Sequence, residues 1–145
     1  MGVNVEIKNL PGEPDFAEVD LVCDAVVGLA SAYRPVEQLL LSSFDISAVN
    51  RIRAADQSLP TAWLVVERYE TDQILSRVEA HGHGWINPWN ELVDEAFLGK
   101  AHRRGLKVVV WTVDDRERVV ELAGWGVDGI ITNQVSMARQ AIDGL

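Results

Sequence analysis

Cysteine is nearly absent from the sequence, since Cys23 is the only one in 145 residues. No internal disulfide can form, so the fold depends on an apolar core. Cys23 falls among apolar residues on a predicted helix, which is typical of a small core residue. A lone thiol of this kind favours a reducing compartment over the disulfide-stabilised secreted class.

Long apolar runs are missing as well. No segment has the length that is needed to span a bilayer. The N-terminus carries no charged leader followed by a hydrophobic stretch, so no secretion signal is predicted. These two absences predict a soluble protein of the cytoplasm.

Positive charge is scarce, with 13 Lys and Arg against 22 Asp and Glu and a net charge of −9. Affinity for nucleic acid comes mainly from cations that neutralise phosphates, so we expect no nucleic-acid partner. A small phosphate ligand needs only a local group of donors and is compatible with this charge.

Glycine-rich nucleotide loops are also absent, since no G-x-G-x-x-G follows any predicted strand. Strand and helix patterns instead alternate six times. The predicted strands lie at 3–8, 39–41, 62–66, 85–88, 106–111 and 127–132. Repeated strand–helix units predict an α/β fold with a parallel sheet.

The closest architecture is the TIM (β/α) barrel, whose functional groups lie at the C-terminal ends of the strands. A complete barrel takes about 250 residues and eight units. This chain supplies six units, so we predict an incomplete barrel from which the first two units are missing.

The opening strand, residues 3–8, alternates strictly between apolar and polar side chains. Val3, Val5 and Ile7 share one face, while Glu6 and Lys8 lie on the other. Because a parallel sheet is covered on both faces, the two charges need a partner or a ligand. They form either a structural ion pair or a site for a metal or an anion.

Several other polar residues have local interpretations. Asp45 is placed to cap a helix, and Asp114 with Glu117 has the spacing of a capping box. His81 and His83 lie between glycines before a weak strand. We interpret this H-x-H pair as a solvated turn rather than a metal site.

Five motifs in order resemble the third to eighth strands of the glycerophosphodiester phosphodiesterase family. They are Val-Asn-Val-Glu-Ile-Lys at 3–8, Ser-Ser-Phe-Asp at 42–45, Ala-His-Arg-Arg-Gly-Leu-Lys-Val at 101–108, Trp-Thr-Val at 111–113 and Trp-Gly-Val-Asp-Gly-Ile-Ile-Thr at 125–132. The resemblance covers essentially the whole chain and implies one truncated domain over residues 1–145. It also implies hydrolysis of glycerophosphodiesters to an alcohol and glycerol phosphate, with a divalent cation, Mg²⁺ or Ca²⁺.

The resemblance gives candidate roles to five residues. Glu6 is similar to the family's glutamate metal ligand, and Lys8 is similar to its phosphate-contacting lysine. Trp111 resembles the tryptophan that walls the substrate pocket, and Ser43 and Phe44 match a turn at the pocket floor. The residue types suit these roles, because a carboxylate binds a hard cation and a lysine is a point charge for a phosphate oxygen.

The family's catalytic histidines have no counterpart in this sequence. Its first strand ends in a His-Arg-Gly motif, and its second strand brings a Glu-x-Asp pair and a further histidine. The three histidines of this chain, His81, His83 and His102, match none of these positions. No residue therefore clearly supplies the proton that a leaving alkoxide needs.

Three functions follow from this mixture of matches and departures. The first is a phosphodiesterase that is active only when another chain or copy completes its site. The second is a non-catalytic remnant that binds a phosphate ligand or another protein, and the third is a gene fragment without a selected activity. Because missing strands would leave two open sheet edges, we also expect a homo-oligomer, most simply a dimer.

Overall fold

A computed structural model describes residues 3–8, 19–32 and 38–145 of the chain. Strands and helices alternate through these ranges. The strands are Val3–Glu6 (β1), Leu39–Ser43 (β2), Thr61–Val65 (β3), Trp85–Pro88 (β4), Lys107–Val110 (β5) and Gly129–Ile130 (β6). The helices are Val19–Ala32 (α1), Ile46–Ala55 (α2), Thr71–Ala80 (α3), Glu95–Arg103 (α4), Arg116–Gly124 (α5) and Val135–Asp143 (α6).

The six strands form one sheet in chain order, and every neighbouring pair is parallel. The sheet curls into a half-barrel, so the predicted incomplete TIM-like α/β fold with six strand–helix units is confirmed. β1 and β6 lie at the two ends of the sheet and do not pair with each other. The six strands therefore do not close into a smaller barrel, and no described residue pairs with the outer edge of β1 or β6.

The apolar core has an outer and an inner part. The larger part lies between the sheet and its helices and contains Val65, Ile86, Val108 and Phe97, while Cys23 is buried in a smaller cluster beside β2. The inner part is small. It consists of Leu40, Ala62 and Val109, with Trp85 and Ile131 packed against them.

Aspartates fix the start of three of the helices that follow strands. Asp45 accepts a hydrogen bond from the amide of Ser47, as predicted, and Asp94 accepts one from the amide of Phe97. Asp115 caps α5 through the amide of Arg118, so the prediction that Asp114 is the cap is wrong by one residue. Side-chain caps of this type satisfy amides that have no partner within the helix.

The outer face of β1 lacks a covering element within the described residues. Val3 and Val5 are 47% and 39% exposed, although the alternation predicted a buried face, and Ile7 alone is buried. An apolar groove of about 260 Å³ lies between this face and α1, where Leu29 is also exposed. Valines at this position are exposed because the sheet ends at β1.

A buried histidine joins three elements at the N-terminal ends of the strands. The hydroxyl of Thr61 contacts Nδ1 of His83 at 2.7 Å, and Nε2 of His83 contacts Oδ1 of Asn50 at 2.8 Å. His83 is 3% exposed, so the prediction of a solvated turn is wrong for this residue, while His81 is exposed. The contacts assign the proton to Nε2, which donates to Asn50, and leave Nδ1 to accept from Thr61.

Burial lowers the pKa of His83 to about 4, and the nearby positive charges of Arg53 and His81 act in the same direction. The unfolded chain, with an ordinary histidine pKa of about 6.5, binds a proton first as pH falls. Stability from His83 is therefore complete above pH 6.5 and is lost as pH falls toward 4.

We predict that the free energy of unfolding falls by about 2 kcal/mol between pH 7 and pH 5 through His83. Urea unfolding at the two pH values measures this. His83→Gln should remove most of this pH dependence, whereas His81→Gln, which changes an exposed ring next to it, should keep most of it, because burial is the largest cause of the lowered pKa. Equal pH dependence in all three proteins would contradict the assignment.

Candidate functional site

The carboxyl ends of the six parallel strands meet at one edge of the half-barrel, which we call the mouth. The residues at or just after these ends are Lys8, Ser43, Phe44, Glu67, Trp89, Trp111 and Asn133. Four of the five candidate site residues from the sequence, Lys8, Ser43, Phe44 and Trp111, therefore lie at this edge. The fifth, Glu6, is the last residue of β1.

Ser43 holds the end of β1 against the turn that follows β2. Its buried hydroxyl donates to the carbonyl of Ile7 at 2.9 Å and accepts from the amide of Asp45 at 3.1 Å. Both contacts are to the backbone. Ser43 therefore positions its neighbours Lys8 and Phe44 at the mouth.

Phe44 and Trp111 form an aromatic pair at the mouth. Their ring centroids are 5.3 Å apart at an interplanar angle of 90°, an edge-to-face arrangement that aromatic quadrupoles favour. The indole N–H of Trp111 donates to the carbonyl of Asn87 at 2.8 Å, and the backbone of Trp111 bridges to Trp89 on the neighbouring strand. These contacts fix the orientation of the Trp111 ring as a flat wall.

Glu6 and Lys8 lie in the open part of the mouth. Both side chains are exposed, which corrects the expectation that the sheet would bury them. Glu6 is paired in register with Ser42 of β2. No salt bridge to any described residue involves either side chain, so the structural ion pair is not formed.

Asp114 clamps the last strand, a role that the sequence pattern did not reveal. Its carboxylate accepts hydrogen bonds from the Thr132 hydroxyl at 2.8 Å and from the amide and side chain of Asn133 at 2.7 and 2.8 Å. The contacts from Asn133, followed by that from Thr132, lower the pKa of Asp114 below its ordinary value. The clamp ties the loop after β5 to the end of the short strand β6.

Two polar side chains inside the half-barrel have no hydrogen-bond partner among the residues that the structure describes. Ser42 and Asn87 are 0% exposed, and the Ser42 hydroxyl and both side-chain atoms of the Asn87 amide are unpaired. An unsatisfied buried group costs about 1–3 kcal/mol of stability. Sequence reasoning missed both residues, although a serine and an asparagine among apolar strand positions are a usable signal.

The three histidines all lie away from the mouth. His81 and His83 precede the start of β4, and His102 near the end of α4 precedes β5, where it contacts Asp128 at 3.0 Å. The N-terminal strand ends are the opposite side of a barrel from its functional edge. No histidine is therefore placed to exchange a proton with a ligand at the mouth.

Comparison with known proteins agrees with this architecture. The model of the glycerophosphoryl diester phosphodiesterase family matches residues 1–137. The chain belongs to this family. The Bacillus subtilis family protein YhdW is 26% identical over 137 residues, which cover 92% of this chain and 53% of YhdW.

Solved phosphodiesterase structures share the same fold. The protein from Silicibacter pomeroyi superposes with a TM-score of 0.81 and 27% identity over 96% of this chain and 49% of its own. The Oleispira antarctica phosphodiesterase was solved with its product sn-glycerol-3-phosphate. It superposes with a TM-score of 0.83 and 22% identity over 99% of this chain and 56% of its own. The chain thus spans about half the length of the phosphodiesterases that it matches.

The family generally uses a divalent cation, and the described part of the chain does not contain a complete site for one. No group of three or more His, Cys, Asp and Glu side chains is placed there to hold a metal ion. Glu6 by itself supplies a single carboxylate, whereas Ca²⁺ takes six to eight oxygen ligands. Within the same residues, no helix has the length and apolar character that crossing a membrane requires.

Proposed function

We propose that this chain forms the phosphate-binding part of a phosphodiesterase that hydrolyses glycerophosphodiesters to an alcohol and glycerol phosphate. The observation that carries the proposal is the mouth itself. Lys8 and Glu6 are exposed there and form no salt bridge with a described residue, and their strand is the neighbour of β2, after which Phe44 begins the Phe44–Trp111 wall. Family membership over residues 1–137 supports the same reaction class.

Each mouth residue has a role that its chemistry suits. The Lys8 ammonium binds a phosphate oxygen as a point charge. The Trp111 and Phe44 rings form an apolar wall along the ligand, and Ser43 positions both Phe44 and Lys8 through its backbone contacts. Glu6 offers a carboxylate to a divalent cation whose other ligands come from outside the described residues.

Hydrolysis requires a proton donor for the leaving alkoxide, and general acid–base groups contribute on the order of 10² to 10⁴ in rate. The histidines lie at the opposite end of the strands. The reaction therefore depends on groups that another segment or another copy brings to the gap between β1 and β6.

Binding of sn-glycerol-3-phosphate tests the phosphate site directly. Isothermal titration or NMR should detect binding to the chain, and Lys8→Ala should weaken it at least tenfold. Lys100→Ala is the matched control, because Lys100 is held by Asp72 on the outer helices. Equal binding by all three proteins would remove Lys8 from the site.

We predict no measurable hydrolysis of glycerophosphocholine by the purified chain alone, with Mg²⁺ or Ca²⁺ present. Release of glycerol phosphate in a coupled assay measures this. A turnover that survives purification and disappears in Lys8→Ala would show that this chain carries its own proton donor.

Cation affinity should be weak, with a dissociation constant of about 10⁻³ M or above, because a single carboxylate leaves most oxygen positions to water. Titration of Mg²⁺ and Ca²⁺ against Glu6→Gln checks the assignment, and the variant should bind still more weakly. Glu79→Gln is the control, since Glu79 pairs with Arg104 far from the mouth. Equal cation binding by Glu6→Gln and the wild type would rule Glu6 out as a ligand.

The alternative function is that of a non-catalytic module that binds a phosphate ligand and oligomerises. The open edges at β1 and β6 favour it, because exposed parallel edges are templates for pairing with another chain. The apolar groove beside Val3, Val5 and Leu29 adds surface that soluble monomers seldom leave uncovered.

We expect a homodimer at micromolar concentration. Light scattering measures the mass, and Val5→Lys, which places a charge on the groove, should shift the protein to monomer. Leu145→Lys is the matched control, because Leu145 is equally apolar and 72% exposed at the end of the chain. A compact, stable wild-type monomer would contradict this expectation.

A further inference from the structure

Arg118, in the first turn of α5, reaches across to the loop that follows β4. Its Nε donates to Oδ1 of Asn90 at 2.8 Å, and its Nη2 donates to the carbonyls of Asn90 at 3.1 Å and Val93 at 2.6 Å. Nη1 pairs with the carboxylate of Glu121 on the same helix, and Cζ lies 5.0 Å from the centroid of the Trp125 ring. All three guanidinium nitrogens therefore donate, and two of them donate to another element.

The chemistry of these contacts suits a fixed attachment between α5 and the loop. An arginine presents its donors in a rigid planar fork, which a lysine cannot reproduce with a single ammonium group. Hydrogen bonds from a charged donor are about twice as strong as those between neutral groups. Because two of the acceptors are the main-chain carbonyls of Asn90 and Val93, Arg118 fixes the path of the backbone there.

The same loop holds Trp111 at three points. The amide of Asn90 donates to the Trp111 carbonyl at 2.7 Å, and the amide of Trp111 donates to the Pro88 carbonyl at 3.3 Å. The indole N–H of Trp111 donates to the Asn87 carbonyl at 2.8 Å. All three partners lie in the segment 87–90, whose last residue is the one that Arg118 binds. The position of this segment therefore sets both the backbone and the ring of Trp111.

The other half of the aromatic wall has a separate support. The indole N–H of Trp63, on β3, donates to the carbonyl of Phe44 at 3.1 Å. Trp63 is 3% exposed, and the Arg77 guanidinium lies 4.9 Å from the centroid of its ring. Phe44 is thus held through β3, whereas Trp111 is held through segment 87–90 and α5.

We propose that Arg118 is a positioning residue for the mouth. It acts through Trp111 rather than by contact with a ligand, since it holds segment 87–90 against α5 and so sets the orientation of the Trp111 ring. Its effect on binding rests on the proposed function, in which that ring lies along the ligand. The ion pair with Glu121 stays within α5 and has no part in this role.

Hydrogen exchange of the indole protons, followed by NMR, tests the positioning role without any ligand. Arg118→Met keeps an apolar stem over Trp125 and removes the fork. The indole proton of Trp111 should then exchange about tenfold faster, because hydrogen bonds from a charged group are lost. The indole proton of Trp63 should keep its rate. Trp111→Phe identifies the Trp111 resonance.

Two further variants separate the fork from the charge. Arg118→Lys retains the charge without the fork, so it should match Arg118→Met. Glu121→Gln is the matched control, because it removes the partner within α5 and leaves the contacts to Asn90 and Val93, so both indole protons should exchange as in the wild type. If Arg118→Met does not fold, Asn90→Ala removes the acceptor of Nε and should also speed the exchange at Trp111 alone.

Titration with sn-glycerol-3-phosphate supplies the second measurement. Affinity should fall about threefold in Arg118→Met and Arg118→Lys, since an apolar wall contributes contact area but no charge, and should stay unchanged in Glu121→Gln. Faster exchange at Trp111 alone, together with weaker binding, supports the proposal.

Three results would overturn it. These are equal acceleration at Trp63 and Trp111, which is the mark of a general loss of stability, unchanged exchange at both rings, and faster exchange at Trp111 with unchanged affinity. If the wild type binds no glycerol phosphate, the proposed function falls, and the exchange rates alone decide whether Arg118 positions Trp111.

Discussion

The geometry of the mouth depends on the pairing of β1 with β2. Among the described strands, β1 has this one neighbour, and the ladder continues past its end through the amide of Ile7, which donates to the carbonyl of Ser42 at 2.7 Å. The Ser43 hydroxyl then binds the Ile7 carbonyl at 2.9 Å. These contacts hold Glu6 and Lys8 at the end of the strand that neighbours β2. Since a one-residue slip of a strand exchanges its two faces, this register decides whether the charges face the barrel interior.

Most of the fold was predictable from the sequence because local patterns and global topology agree. Short β-rich runs between amphipathic helices predicted the parallel sheet, and the strand boundaries differ from the predicted ones by a few residues, as strand ends commonly do. The weakest predicted strand, at 85–88, forms β4 as expected. Its neighbours β3 and β5 supply the pairing that its own sequence only partly favours.

The predictions that failed concern features that depend on distant partners. His83 is buried because Thr61 and Asn50 come to it from β3 and α2, and no pattern around residue 83 contains that information. Asp114 and Asp115 are adjacent carboxylates, and only the position of β6 decides which one caps α5 and which one binds Asn133. Val3 and Val5 are exposed for a similar reason, since alternation gives the face of a strand but not whether that face is covered. The roles of Glu6, Lys8, Ser43, Phe44 and Trp111 remain predictions, although the fold brings them to one edge.

The aspartate caps have a consequence for anions at the mouth. The N-terminus of a helix can bind a phosphate through its free amides and the positive end of the dipole. Here Asp45, Asp94 and Asp115 already bind the amides of α2, α4 and α5. These three helix ends therefore present a carboxylate, rather than free amides, to any anion at this edge. The starts of α3 and α6 differ, because neither has a side-chain cap. The capping pattern thus divides the helix starts along the mouth into three that disfavour an anion and two that keep their amides available.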